Sequence, residues 1–152
     1  MLLQKYMLCI HWILMFWYSY EDVYDGQKYV LYEGRYSYTQ ATEKCTEEGG
    51  IIAMATDTDT FNILFNILNE HWNAYRTDAS VHLDGSQGVM NPQFSGWFCM
   101  NTGGSCPSTM PWHPGQPSDP AEKCAGMMVF MKKGVKDGNC SDQCMTICKF
   151  EM

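Results

Sequence analysis

The chain has 152 residues, of which 45% are hydrophobic and 14% aromatic, a composition sufficient for one packed core and unlike that of a disordered chain. Ten basic and 17 acidic residues give a net charge of −7. A negative surface repels phosphate backbones, so no nucleic-acid partner is expected.

The first twenty residues differ in composition from the rest of the chain. Lys5 is their only formally charged side chain, and residues 6–20 are almost wholly apolar or aromatic. This pattern predicts a signal peptide over residues 1–20, with a retained signal anchor or a core segment as alternatives. We therefore expect a secreted, extracellular protein.

The eight cysteines also indicate an extracellular protein. No two of them form a C-x-x-C pair, and the run Cys140, Cys144, Cys148 matches no zinc or iron–sulfur spacing. Disulfides are therefore the better interpretation than a metal site or a cytosolic redox site.

The first half of the remaining chain alternates strands and helices. Residues 29–32 predict a strand, and Ser37 with Gln40 forms a capping box that opens a helix over 38–48. Two glycines end this helix, and residues 51–53 predict a short buried strand.

A second amphipathic helix follows, with capping residues at 57–60 and an end near Asn73. Its predicted core face, spaced i, i+3, i+4, i+7, consists of Phe61, Leu64, Phe65 and Leu68.

The second half of the chain contains short strands and a long loop. Strands are predicted over 80–83, 125–131 and 147–150, and turns at Asp84–Gly85, Asn91–Pro92 and Lys133–Gly134. Residues 99–123 have many prolines and glycines and no periodicity, which predicts an irregular, functional loop. The absence of repeats and linkers predicts one domain over residues 28–152.

Several short motifs, taken in order, resemble those of the C-type lectin-like domain family. They are Tyr38-Thr39-x-Ala41-x3-Cys45, Gly49-Gly50, Ser80-Val81-His82-Leu83, Trp112-His113-Pro114-Gly115-Gln116-Pro117-Ser118, Glu122-x-Cys124, Gly134-Val135-Lys136-Asp137-x-x-Cys140 and Cys148. The resemblance implies an α+β fold: two helices packed on small antiparallel sheets, a long irregular loop and structural disulfides.

The resemblance also implies disulfide pairs. Cys45 is expected to pair with Cys148, and Cys124 with Cys140. Cys99 and Cys106 lie seven residues apart in the long loop and are expected to form a third bridge. Removal of a signal peptide would remove Cys9 and leave Cys144 without a partner, unless it takes one of the others or links two chains in a disulfide-bonded homodimer.

The family's calcium-dependent sugar site is the functional counterpart of these motifs. Carried over by position, the carbohydrate-binding residues are Gln116, Ser118, Glu122, Lys136 and Asp137. The calcium ligands implied are Gln116, Ser118, Asp119, Glu122 and Asp137, with Asp119 supplementing the short Ser118. Pro117 resembles the family proline that follows a cis peptide bond, and Gln-Pro-x favours galactose-type sugars.

Lys136 departs from the family pattern, because an ammonium offers no oxygen to a calcium ion. Two functions therefore stay open: a carbohydrate-binding lectin that uses calcium, and a calcium-independent protein-binding or matrix-associated module. An enzyme is not expected. No catalytic signature surrounds any cysteine, and the histidines lie in the predicted signal peptide or beside aromatic and apolar residues, so we interpret them as structural.

Overall fold

The computed structural model of the protein describes residues 20–93 and 96–152. Its elements are β1 (Glu21–Tyr24), β2 (Gln27–Tyr36), α1 (Tyr38–Glu47), β3 (Ile51–Ile52), α2 (Thr58–Tyr75), β4 (Ser80–Ser86), β5 (Phe98–Cys99), β6 (Gly104–Ser105), β7 (Cys124–Met128), β8 (Lys136–Gly138) and β9 (Cys144–Glu151). The predicted signal peptide falls outside the described residues except for Tyr20, and it stays a prediction.

The nine strands of the described chain form one hydrogen-bonded network. Its main path runs β1-β2-β9-β4-β5-β6, while β3 pairs with β9, and β7 pairs with both β4 and β8. All pairs are antiparallel except β4 with β9. Because β2 lies beside β9, the beginning and the end of the domain are joined in the sheet.

The two helices follow the sequence signals closely. α1 opens with the predicted capping box, in which Ser37 and Gln40 exchange side-chain and backbone hydrogen bonds. α2 is capped by Asp57, which accepts the Thr60 N–H at 2.8 Å and has a lowered pKa because of that bond. Three of its four predicted core residues are fully buried, and Phe65 packs partly buried against them.

Three disulfides link cysteines in the described chain, and they are the expected ones: Cys45–Cys148, Cys99–Cys106 and Cys124–Cys140. The first connects α1 to β9 across 103 residues, and the third connects β7 to the segment after β8. Among the described cysteines, Cys144 is the one without a disulfide.

The predicted turn at Asp84–Gly85 is wrong, because β4 continues through both residues to Ser86. Asp84 is fully buried, where a turn aspartate would be exposed. Gly85 is required by the close approach of β7, since a Cβ there would lie 2.9 Å from Ala125 Cβ. Two strand boundaries also differ from the predicted ones: β7 ends at Met128 instead of 131, and β9 begins at Cys144 instead of 147.

The described helices include none that is both long and apolar enough to cross a membrane.

Candidate functional site

The long loop is fixed to the core by the buried carboxylate of Asp84. Its Oδ1 accepts the Met100 N–H at 2.8 Å, and its Oδ2 accepts the backbone and side-chain N–H groups of Asn101 at 2.8 and 2.9 Å. Burial raises the pKa of Asp84 above its usual range, although these hydrogen bonds oppose the shift. The Asn101 amide also donates to the Ile52 carbonyl at 2.9 Å, so the loop is held from two strands.

Next to this anchor, a short hairpin positions Trp97. The Cys99–Cys106 bridge closes β5 on β6, and the Cys106 N–H donates to the Trp97 carbonyl at 2.8 Å. The Trp97 ring lies against the Trp112 ring, with centroids 4.8 Å apart. The two tryptophans therefore join the hairpin to the later part of the loop.

The second anchor is Asp137 on β8, whose side chain is fully buried. One oxygen, Oδ2, accepts the backbone N–H groups of both Ser118 and Asp119 at 2.8 Å. The Asp137 N–H donates to Gln116 Oε1 at 3.4 Å, and the Gln116 amide donates to Ser118 Oγ at 3.2 Å. The expected cis peptide bond is present between Gln116 and Pro117.

These anchors shape a groove of about 260 Å³, here called the tryptophan groove. It is lined by Gln87, Trp97, Pro117, Ser118, Asp119, Pro120 and Glu122. Asp119 is exposed and Glu122 is half-buried, so the groove presents an aromatic ring and two carboxylates.

Lys136 lies on the other face of β8, because neighbouring residues of a strand point to opposite sides. A Cβ on Gly138 would lie 3.5 Å from Lys136 Nζ and 3.9 Å from Asp142 Oδ2, so both side chains approach this residue. Lys136 lines a second groove of about 410 Å³, together with His82, Asp142 and Cys144. It does not line the tryptophan groove.

Cys144 is half-buried in this second groove, and the Ser80 hydroxyl donates to its sulfur at 3.3 Å. Burial raises the pKa of its thiol. His82 is buried in the same wall, with Nε2 2.8 Å from the Asp142 carbonyl oxygen. Burial lowers the pKa of His82, which favours the neutral imidazole.

The side chains expected to bind calcium are partly committed to hydrogen bonds within the fold. Calcium takes about six to eight oxygens. The Asp137 Oδ2 atom accepts two backbone N–H groups, whereas its Oδ1 atom is buried and has no hydrogen-bond partner. Across residues 20–93 and 96–152, no three His, Cys, Asp or Glu side chains are grouped so that they could hold a metal.

The structure thus brings together most of the residues named from the sequence and separates one. Gln116, Ser118 and Asp137 are linked by hydrogen bonds, and Ser118 shares the tryptophan groove with Asp119 and Glu122. Lys136 lines the second groove instead. Sequence reasoning missed Gln87 and Trp97, because their place in the groove depends on residues 117–122, which lie twenty or more positions further along the chain.

Known structures resemble this fold. Human lithostathine is 20% identical, with a TM-score of 0.70, over 87% of this chain and 97% of its own. A calcium-independent type II antifreeze protein is 16% identical, with a TM-score of 0.66, over 86% of this chain and 91% of its own. The carbohydrate-recognition domain of the mouse scavenger receptor C-type lectin is 17% identical, with a TM-score of 0.64, over 87% and 95%.

No curated protein matches the sequence. The profile of the family described as "Lectin C-type domain" matches residues 34–150, which is most of the chain. Together with the disulfide pattern and the fold, this match confirms the resemblance seen in the motifs: the chain belongs to the C-type lectin domain family.

Proposed function

We propose that the protein is an extracellular glycan-binding module whose site is the tryptophan groove and which binds without calcium. The observation that carries the proposal is the placement of Trp97 beside the carboxylates of Asp119 and Glu122 in one groove. Extracellular location is supported by the three disulfides and by the apolar first twenty residues.

The groove has the two kinds of surface that a sugar needs. An aromatic ring packs against the apolar C–H face of a pyranose, and carboxylates accept hydrogen bonds from its hydroxyl groups. Galactose-type sugars present such a face. No aromatic residue lies between Ser118 and Cys124, and Trp97 supplies the ring from the position directly before β5.

Calcium independence is supported by the use that the fold makes of Asp137. Its carboxylate orders the backbone of Ser118 and Asp119, so it shapes the groove from within. The Lys136 ammonium faces the second groove and provides no oxygen.

A glycan array probed with the full chain in a chelating buffer tests the proposal. Binding is expected to galactose-type structures, and Trp97→Ala is expected to weaken it about thirtyfold, or about 2 kcal/mol. Tyr75→Ala is the matched aromatic control, because Tyr75 is exposed on α2 and does not line the groove.

Trp97 packs against the core, so a second pair of variants avoids a folding effect. Glu122→Gln keeps the shape of the side chain and removes its charge, while Glu47→Gln on the exposed end of α1 is the control. If the wild-type protein bound no glycan on the array, the proposed glycan binding would be rejected and the protein-binding alternative would be favoured. Equal losses in groove variants and controls would place the site elsewhere.

A further inference from the structure

A cluster of aromatic and basic side chains lies where the end of α2 meets the turn after β7. Phe130 stands in that turn and is 66% exposed, with its ring edge-on to Trp72 at 5.2 Å between centroids. The Arg76 guanidinium lies 5.7 Å from the Trp72 ring centre. We call Trp72, Tyr75, Arg76, Phe130, Lys132 and Lys133 the aromatic–basic patch.

The apolar part of the patch is only partly buried: Trp72 packs against the core, and the Tyr75 ring contacts Tyr20 and His71. Tyr75 is 54% exposed and lies one helical turn from Trp72, beside which Phe130 projects. Most large aromatic side chains are mainly buried in a monomeric domain, so exposed rings such as those of Tyr75 and Phe130 indicate a candidate interaction surface.

The basic part of the patch is unusual for so acidic a chain. Residues 123–136 contain four of the ten basic residues and no acidic residue, although the net charge is −7. Lys132 and Lys133 are exposed, and no salt bridge in the described part of the chain involves either of them. Arg76 adds a third exposed cation beside the rings.

We infer that the aromatic–basic patch docks on an anionic phospholipid membrane surface, with Phe130 entering the interface and the three cations meeting lipid headgroups. This chemistry combines an aromatic tip, which favours the boundary between headgroups and acyl chains, with flanking lysines attracted by negative lipids. The solvated chain of a sulfated polysaccharide would match the cations but leave Phe130 in water. The inference does not depend on the glycan site, since the patch and the tryptophan groove share no residue.

The expected effects follow from the two components. A basic residue near an anionic surface contributes about fivefold to the partition coefficient, so Lys132→Gln with Lys133→Gln is expected to weaken binding about 25-fold. Phe130→Ser is expected to weaken it about tenfold, since the ring loses its burial in the interface. Raising the salt concentration weakens binding of the wild type by screening.

Vesicle co-sedimentation of the full chain provides the test. Vesicles of phosphatidylcholine alone are compared with vesicles of equal parts phosphatidylcholine and phosphatidylserine. The matched controls lie on the β1–β2 hairpin: Val23→Ser removes an apolar side chain that is 54% exposed, and Lys28→Gln removes a surface lysine. Circular dichroism checks that all variants are folded.

Selective binding to the phosphatidylserine vesicles, lost in the patch variants and kept in the controls, is the expected result. Three results would overturn the inference: no sedimentation with either vesicle, equal sedimentation with both, or equal losses in patch variants and controls. Binding to heparin without binding to vesicles would also overturn it, and would assign the patch to sulfated polysaccharides.

Discussion

Replacing Asp84 with alanine is expected to destabilise the domain strongly. The substitution removes the acceptor of three hydrogen bonds, from the backbone N–H groups of Met100 and Asn101 and the side-chain amide of Asn101. Hydrogen bonds to a charged group contribute about 1.5–3 kcal/mol each, and donors left without a partner in a buried site add a penalty. Because burial of the carboxylate itself is unfavourable, we take the low end of this range and expect a loss of about 4 kcal/mol.

Urea unfolding followed by tryptophan fluorescence measures this loss, with the disulfides kept intact. Asp84→Asn keeps one oxygen and is expected to lose about 2 kcal/mol, because its NH₂ group then faces an N–H donor. Glu43→Ala, on the exposed face of α1, is the control and is expected to stay within about 0.5 kcal/mol of wild type. If Asp84→Ala were as stable as this control, the loop would not depend on the buried carboxylate.

Three further predictions concern cysteines and a histidine. Replacing Cys45 and Cys148 with alanine is expected to lower the free energy of unfolding by about 4–5 kcal/mol, because this bridge closes the longer loop. Replacing Cys124 and Cys140 is expected to lower it by about 3 kcal/mol, and the order of the two melting temperatures checks this difference. Burial lowers the pKa of His82 below its ordinary value of 6.5. The stability that the neutral imidazole provides is therefore present above pH 6.5 and is lost as the pH falls through the pKa of the folded protein. NMR titration of the His82 ring should give a midpoint below 6.5. Alkylation of Cys144 is expected to be slower than that of a peptide thiol, because burial raises the pKa of its thiol. Non-reducing electrophoresis of the wild type and Cys144→Ser shows whether the predicted disulfide-linked dimer forms.

The parts of the fold that the sequence predicts well are those determined by neighbouring residues. The capping box at Ser37 and Gln40 and the apolar face of α2 are local patterns, and both are confirmed. Two of the disulfide pairs, Cys45–Cys148 and Cys124–Cys140, came from the family resemblance, because the spacing of cysteines alone does not determine their connectivity, whereas Cys99–Cys106 was expected from its short separation in the loop.

The parts that it predicts poorly depend on distant contacts. Asp84 and Gly85 have the residue types of a turn, but a strand and a loop pack around them and keep β4 extended. Trp97 carries no local sign of its role, since the groove forms only when residues 117–122 fold back beside it. The direction of Lys136 follows from strand alternation, and it would have been predictable had β8 been recognised as a strand.

Glycan recognition without a metal ion is tested most directly by isothermal titration of the full chain with a galactose-type glycan selected on the array. Two titrations are run in parallel, one with a calcium chelator and one with added calcium. The groove chemistry predicts the same dissociation constant in both, and a large loss of affinity in Trp97→Ala. Binding that requires calcium and disappears with the chelator would contradict it.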